Sequence, residues 1–170
     1  MHLKVHKYNN TNFNKWDNFV LYKSLNGTIY HTQLFLSYHG NKFEDSSIMI
    51  YYKNKLIAIF PCCKINNEYY SHRGSTCGGI VILEKYYTLS KLNDILDVIY
   101  GYYDNILYIS VSESIYFKDT TNALLVFLLQ QKCETKQDIS LYFDVQLKSK
   151  LIDIFPKSDN KRILKKLNES

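Results

Sequence analysis

Apolar and polar residues alternate from His2 to Tyr8, through Leu3 and Val5, and that period of two predicts a short first strand. The period then lengthens. Phe13, Trp16, Phe19 and Val20 recur at helical spacing, predicting a helix over 13–23 with Asn12 as its cap, closed by the turn pair Asn26-Gly27. A second helical pattern over 31–38 sets Leu34, Phe35 and Tyr38 on one side and stops at Gly40.

Strand-like runs follow at 47–53, 56–65 and 68–71, separated by Asn54-Lys55 and Asn66-Asn67, and such short turns favour an antiparallel meander. Pro61 inside the middle run implies a bulge or an unpaired donor. A glycine-rich stretch over 72–79 leads into the apolar run 80–83. Ser90 is placed to cap a helix reaching about Tyr103, with Leu92, Ile95, Leu96 and Ile99 as its buried face. The unbroken apolar run 106–111 reads as a buried strand, 122–133 as a thoroughly apolar helix beginning after Thr120 or Thr121, and 139–145 as a further alternating strand. A helix over 147–154 is broken at Phe155-Pro156, and a last basic helix starts near Ser158 or Asp159. Together these elements predict an α/β (α+β) fold with a mixed, largely antiparallel central sheet flanked by helices.

Composition changes this picture little. The chain's 170 residues suit one domain able to bury a core without staples. The excess of aromatics, 16 Tyr and 9 Phe, suits half-buried strands. A net charge of +5 is modest, and the densest basic patch, 161–166, alternates with Ile163 and Leu164 as a solvated helix face does, so nucleic acid is not the expected partner. Cys62, Cys63, Cys77 and Cys133 lack zinc spacing, no window approaches the ~20 apolar residues of a membrane span, and Met1 leads straight into the first strand. The expectation is a cytoplasmic protein with reduced thiols.

Candidate chemistry concentrates on His72-Arg73-Gly74-Ser75-Thr76-Cys77-Gly78-Gly79. Its glycines permit positive φ and close backbone approach, and its amides could cradle an anion, although the spacing matches neither G-x-G-x-x-G nor a P-loop. A tight crossover between strands explains the same glycines. His72 and Arg73 could together bind a carboxylate or phosphate, whereas His72 lacks a nearby acidic partner for general-base work. His31 and His39 lie eight residues apart, which is poor zinc geometry, and both read as structural or substrate-facing. Cys77, although flanked by glycine and near His72, has no spacing that supports a nucleophile.

Several segments, in order, resemble the amino-terminal half of FemAB-like acyltransferases of the GNAT superfamily. They are Trp16-Asp17-Asn18-Phe19-Val20, Asn26-Gly27-Thr28-Ile29-Tyr30-His31-Thr32 before Leu34-Phe35-Leu36, the hairpin ending at Phe60-Pro61, and Ser71-His72-Arg73-Gly74-Ser75-Thr76-Cys77-Gly78-Gly79. The last is similar to that family's S-H-x-G-x-x-x-G-G loop, and the basic segment 160–167 to the one that precedes its second domain.

The resemblance implies a GNAT-like domain over 1–155, with 156–170 as a basic helix leading toward a second GNAT half. It also implies transfer of an acyl or aminoacyl group to an amine on a small-molecule or cell-envelope-precursor acceptor. The donor, acyl-CoA or aminoacyl-tRNA, would bind the second half, and the chain carries no Q/R-x-x-G-x-G/A loop to hold a donor diphosphate. His31, His72, Arg73, Ser75 and Thr76 are then the expected acceptor contacts, with Gly74, Gly78 and Gly79 shaping the loop. Two other readings stand beside it: a non-catalytic sugar or nucleotide-sugar binding module, and a structural domain that docks a partner.

Overall fold

The computed structural model describes residues 1–75, 77–111 and 123–134, all within one compact unit, Met1–Glu134. The expected boundary at 155/156, the strand over 139–145, the helix over 147–154 and the basic terminal helix fall outside the described residues.

The described residues form two sheets of four strands each, flanked by helices, so the mixed α/β, largely antiparallel architecture holds with its strands divided between sheets. The first sheet has the order β1-β3-β4-β7, formed by Leu3–Lys7, Ile48–Tyr52, Lys55–Phe60 and Val81–Ile82, all antiparallel. Its pleat sorts the core. Ile48, Ile50, Ala58, Phe60 and Ile82 face helix α3 (Leu89–Tyr102) and α4 (Ala123–Lys132), joining Leu92, Ile95, Leu96, Ile99, Leu125, Leu128 and Leu129 in one cluster. Met49, Ile59 and Val81, aligned in register across β3, β4 and β7, face the opposite way and pack with Trp16, Phe19 and Val20 of α1 (Phe13–Tyr22). A sheet covered on both faces needs apolar residues at every position, and β4 is buried from Leu56 through Phe60.

The second sheet has the order β2-β5-β6-β8, formed by Glu44–Asp45, Cys63–Ile65, Glu68–Tyr70 and Leu107–Tyr108, antiparallel except for the parallel pair β6-β8. Pro61 marks the change of sheet. β4 ends at Phe60 and β5 begins at Cys63, because proline has no amide to continue the ladder. The expected single run 56–65 is therefore two strands in two sheets. Both hairpin turns are tight, with positive φ at Lys53 (47°) and Asn54 (61°), and at Asn66 (48°) and Asn67 (69°), the backbone that right-handed strand twist favours.

Several local expectations differ. Ser90 does not cap α3, which starts at Leu89 after Thr88 with no side-chain cap. The β3–β4 turn falls at Lys53-Asn54, one residue before the expected Asn54-Lys55. Asn12 makes no side-chain cap on α1; Asn9 instead accepts from the Thr11 amide and opens a 3-10 turn, Asn10–Asn12. The segment 31–38 is not one helix. A 3-10 turn (Ile29–His31) precedes a single turn of helix, α2 (Gln33–Leu36), and another 3-10 stretch, Ser37–Lys42. Thr32 accepts from the Phe35 amide, while the Asp17 carboxylate of α1 accepts from the Gln33 and Leu34 amides at 2.6 and 3.2 Å. The start of α2 is thus set by a side chain sixteen residues away, and Leu34 and Tyr38 point outward, 68% and 86% exposed. Finally, 106–111 is no buried strand: β8 spans only Leu107–Tyr108, and Ile106 and Tyr108 are exposed. Among the described residues no helix is long and apolar enough to cross a membrane.

Candidate functional site

The glycine-rich segment carries the chain from β6 in one sheet to β7 in the other. Ser71 pins its start: the Ser71 amide donates to the Tyr108 carbonyl at 2.8 Å, and Ser71 Oγ accepts from the Ser110 amide at 2.6 Å. Gly78 then passes so close to Ser71 that a Cβ there would lie 1.8 Å from the Ser71 carbonyl oxygen. Gly79, at φ +85°, would place a Cβ 2.4 Å from the Ser110 carbonyl oxygen. These two glycines let three backbone segments touch, which is the crossover role rather than an open anion cradle.

His31 sits on the other side of this crossing. It is 1% exposed, and both ring nitrogens are engaged. Nδ1 accepts from the Thr28 amide at 3.1 Å, so Nε2 carries the proton and donates to the Gly78 carbonyl at 3.3 Å. Trp16 Nε1 donates to the His31 carbonyl at 2.8 Å. Burial, the largest influence, lowers the His31 pKa and keeps the imidazole neutral. His31 therefore ties α1 to the glycine segment and presents no free polar atom to a ligand.

His72 is different. It takes φ +59°, an uncommon backbone for a side-chain-bearing residue, with its amide donating to the Tyr70 carbonyl at 2.7 Å. Its ring is 8% exposed and lies beside that of His39, with centroids 5.6 Å apart and planes 31° apart. Phe43 meets both rings, at 6.1 Å from His72 and 5.4 Å from His39, and Phe35 stands edge-on to His39. Gly74, at φ +88°, leaves room for this pair, since a Cβ would come within 3.0 Å of His39 Cε1.

Inside this aromatic box His72 Nδ1 and His39 Nε2 are buried without a hydrogen-bond partner among the described residues. An unsatisfied buried polar atom costs about 1–3 kcal/mol, so a ligand supplying partners would recover that free energy. Burial first, and His39 second, lower the His72 pKa to about 4 against the opposing pull of Asp45 and the Arg73 backbone. His72 is therefore a neutral donor and acceptor at pH 7.

Arg73 is the exposed neighbour. Its guanidinium carbon lies 5.1 Å over the Tyr70 ring, and Tyr70 stacks on Tyr108 at 4.7 Å and 11°. Ser75 completes the turn, its amide donating to the His72 carbonyl at 3.3 Å and its hydroxyl to the Tyr30 carbonyl at 3.3 Å. Thr76 lies outside the described residues. Burial raises the Cys63 thiol pKa despite the nearby Arg73, and Cys77 is 1% exposed, so both are poor nucleophiles. Among the described residues no group of three or more His, Cys, Asp or Glu is placed to hold a metal ion.

The structure thus brings together His72, Arg73, Gly74 and Ser75, adds His39, Phe43 and Tyr70, and assigns His31, Gly78 and Gly79 to the framework. The sequence marks His39 only as structural or substrate-facing, and it is the folded path of 37–42 that carries it beside His72. No protein-family model, no curated protein and no solved structure matches the chain.

Proposed function

We propose that this domain is the acceptor-binding half of an N-acyltransferase similar to the FemAB-like enzymes, and that it relies on a separate donor-binding half for transfer. The observation that carries this reading is the pair of imidazole nitrogens, His72 Nδ1 and His39 Nε2, buried without a hydrogen-bond partner among the described residues, with the exposed Arg73 next along the chain and its guanidinium over the Tyr70 ring. Such a site offers a planar cation for an anionic group of an acceptor and neutral imidazole for its hydroxyl or amine. A neutral imidazole can also accept a proton from an attacking ammonium, although a pKa near 4 makes His72 a weak base. Binding and orientation are therefore the functions assigned to it. The donor, acyl-CoA or aminoacyl-tRNA, would be held by the second half.

Calorimetry tests this reading, with UDP-N-acetylglucosamine and acetyl-CoA titrated separately. Saturable binding of the nucleotide-sugar, weakened by ~1–3 kcal/mol in Arg73→Ala as expected for a charged hydrogen bond, supports it. Unchanged affinity removes Arg73 from the site, and saturable acetyl-CoA binding overturns the assignment of the donor to another half.

A second reading, a non-catalytic sugar-binding module, is favoured by a cleft of about 250 Å³ lined by Tyr69, Tyr102 and Tyr103 with Lys7, Glu44 and Lys64. Aromatic faces flanked by polar groups suit a sugar ring. Loss of nucleotide-sugar binding in Tyr102→Ala, with Arg73→Ala unaffected, would select this reading over the first.

A further inference from the structure

Away from the His72 loop, the outer part of the first sheet and the start of α1 enclose a cleft of about 320 Å³ lined by Lys4, His6, Asn12, Lys15, Tyr51 and Asn54. The strand period brings Lys4 and His6 together. Lys4 and His6 are two residues apart on β1 and share a face, and Lys4 is the register partner of Tyr51. Lys15 enters from the first turn of α1, with Nζ 4.7 Å from the Tyr51 ring centroid. The His6 ring lies 5.1 Å from the same ring at 59°. Asn54 arrives from the β3–β4 turn, where its positive φ of 61° holds the tight reversal.

Among the described residues no carboxylate lines this cleft. Among the described residues the ion pairs are Met1 amine–Asp94 and Lys132–Asp97, so neither Lys4 nor Lys15 has an acidic partner there. The Tyr51 face attracts the Lys15 ammonium while leaving its N–H donors available. Two lysines around one aromatic floor, with mutual repulsion and no carboxylate among the described lining residues, make a local positive potential that a multiply charged anion relieves.

We propose that this cleft binds the phosphate or diphosphate end of a small phosphorylated molecule, with Lys4 and Lys15 as counter-charges and His6 and Asn54 as hydrogen-bonding groups. This site shares no residue with the His72 loop and stands whether or not the acyltransferase reading holds.

The test is calorimetry of the whole chain against inorganic pyrophosphate, then inorganic phosphate, at low and moderate salt. The expected result is saturable binding that weakens as salt rises. Lys4→Met and Lys15→Met should each weaken it at least about tenfold, the scale of one charge-assisted contact. Tighter binding of pyrophosphate than of phosphate assigns the diphosphate. Amide shifts in the unaltered protein should concentrate at 4–6, 12–15 and 51–54, a readout that needs no variant to fold. Absence of saturable binding, equal binding by the double lysine variant, or shifts centred elsewhere overturns the proposal. So does co-sedimentation with phosphatidylglycerol vesicles without pyrophosphate binding, which would make the cations a lipid-facing surface.

Discussion

His72→Asn isolates the electrostatic consequence of burying His72 against His39. Asparagine tolerates the φ of +59° at this position better than most residues, so the substitution removes the titrating ring with the least backbone cost. In the folded chain the His72 pKa falls from 6.5 to about 4, because burial and the facing His39 disfavour the imidazolium more than Asp45 and the Arg73 backbone favour it. The unfolded chain therefore binds the extra proton between those two values. Stability from this group is fully present above pH 6.5 and is lost progressively as pH falls toward 4. Integrating the two titrations gives a loss of ~2 kcal/mol between pH 7 and pH 5, approaching ~3 kcal/mol below pH 4.

Urea unfolding at pH 7, 6 and 5 reads this directly. The unaltered protein should lose ~2 kcal/mol more than His72→Asn across that range, whatever the offset between them at pH 7. His31 also has a lowered pKa and contributes in the same direction, but it remains in both proteins and cancels from the comparison. Equal pH slopes would refute the claim that His72 is held neutral by its surroundings.

Two further substitutions address the framework. Asn26→Ala should cost ~2–4 kcal/mol, seen as a lower urea midpoint at unchanged slope, because Asn26 Nδ2 donates to the Ile80 carbonyl and Oδ1 accepts from the Ile82 amide in a buried setting. A loss below ~0.5 kcal/mol would mean that those backbone groups find other partners. Gly78→Ala should cost on the order of 3 kcal/mol or prevent folding, since its Cβ would fall 1.8 Å from the Ser71 carbonyl oxygen, a backbone atom. Gly101→Ala, in α3 with nothing within 4 Å of the added Cβ, should be neutral or stabilise by about 0.5–1 kcal/mol. Equal thermal melts for the two alanine variants would contradict the close-approach account of Gly78.

Local pattern alone determined much of the architecture. The 3.6-residue spacing of Leu92, Ile95, Leu96 and Ile99 places their side chains on one side of α3, and all are buried. Turn chemistry announces both hairpins, at Asn66-Asn67 as expected and at Lys53-Asn54, one residue before the expected Asn54-Lys55. Trp16, Phe19 and Val20 mark the buried stripe of α1 by the same logic. In each case the deciding interactions lie within a few residues along the chain.

Tertiary structure decided where partners are distant in sequence. Asp17 sets the start of α2 from sixteen residues away, and the continuous helix expected over 31–38 gives way to shorter turns. Pro61 is visible as an interruption, but only the pairing of β5 with β2 and β6 shows that the chain changes sheets there. The candidate site follows the same division. His72 and Arg73 stand out in the glycine-rich segment, while His39 joins them only through the folded path of 37–42, and His31, on the same stretch, is committed to Thr28 and Gly78. Periodicity reports which face of an element turns inward. Whether a buried polar side chain meets a hydrogen-bond partner or is left with an unsatisfied atom depends on what the rest of the fold brings against it.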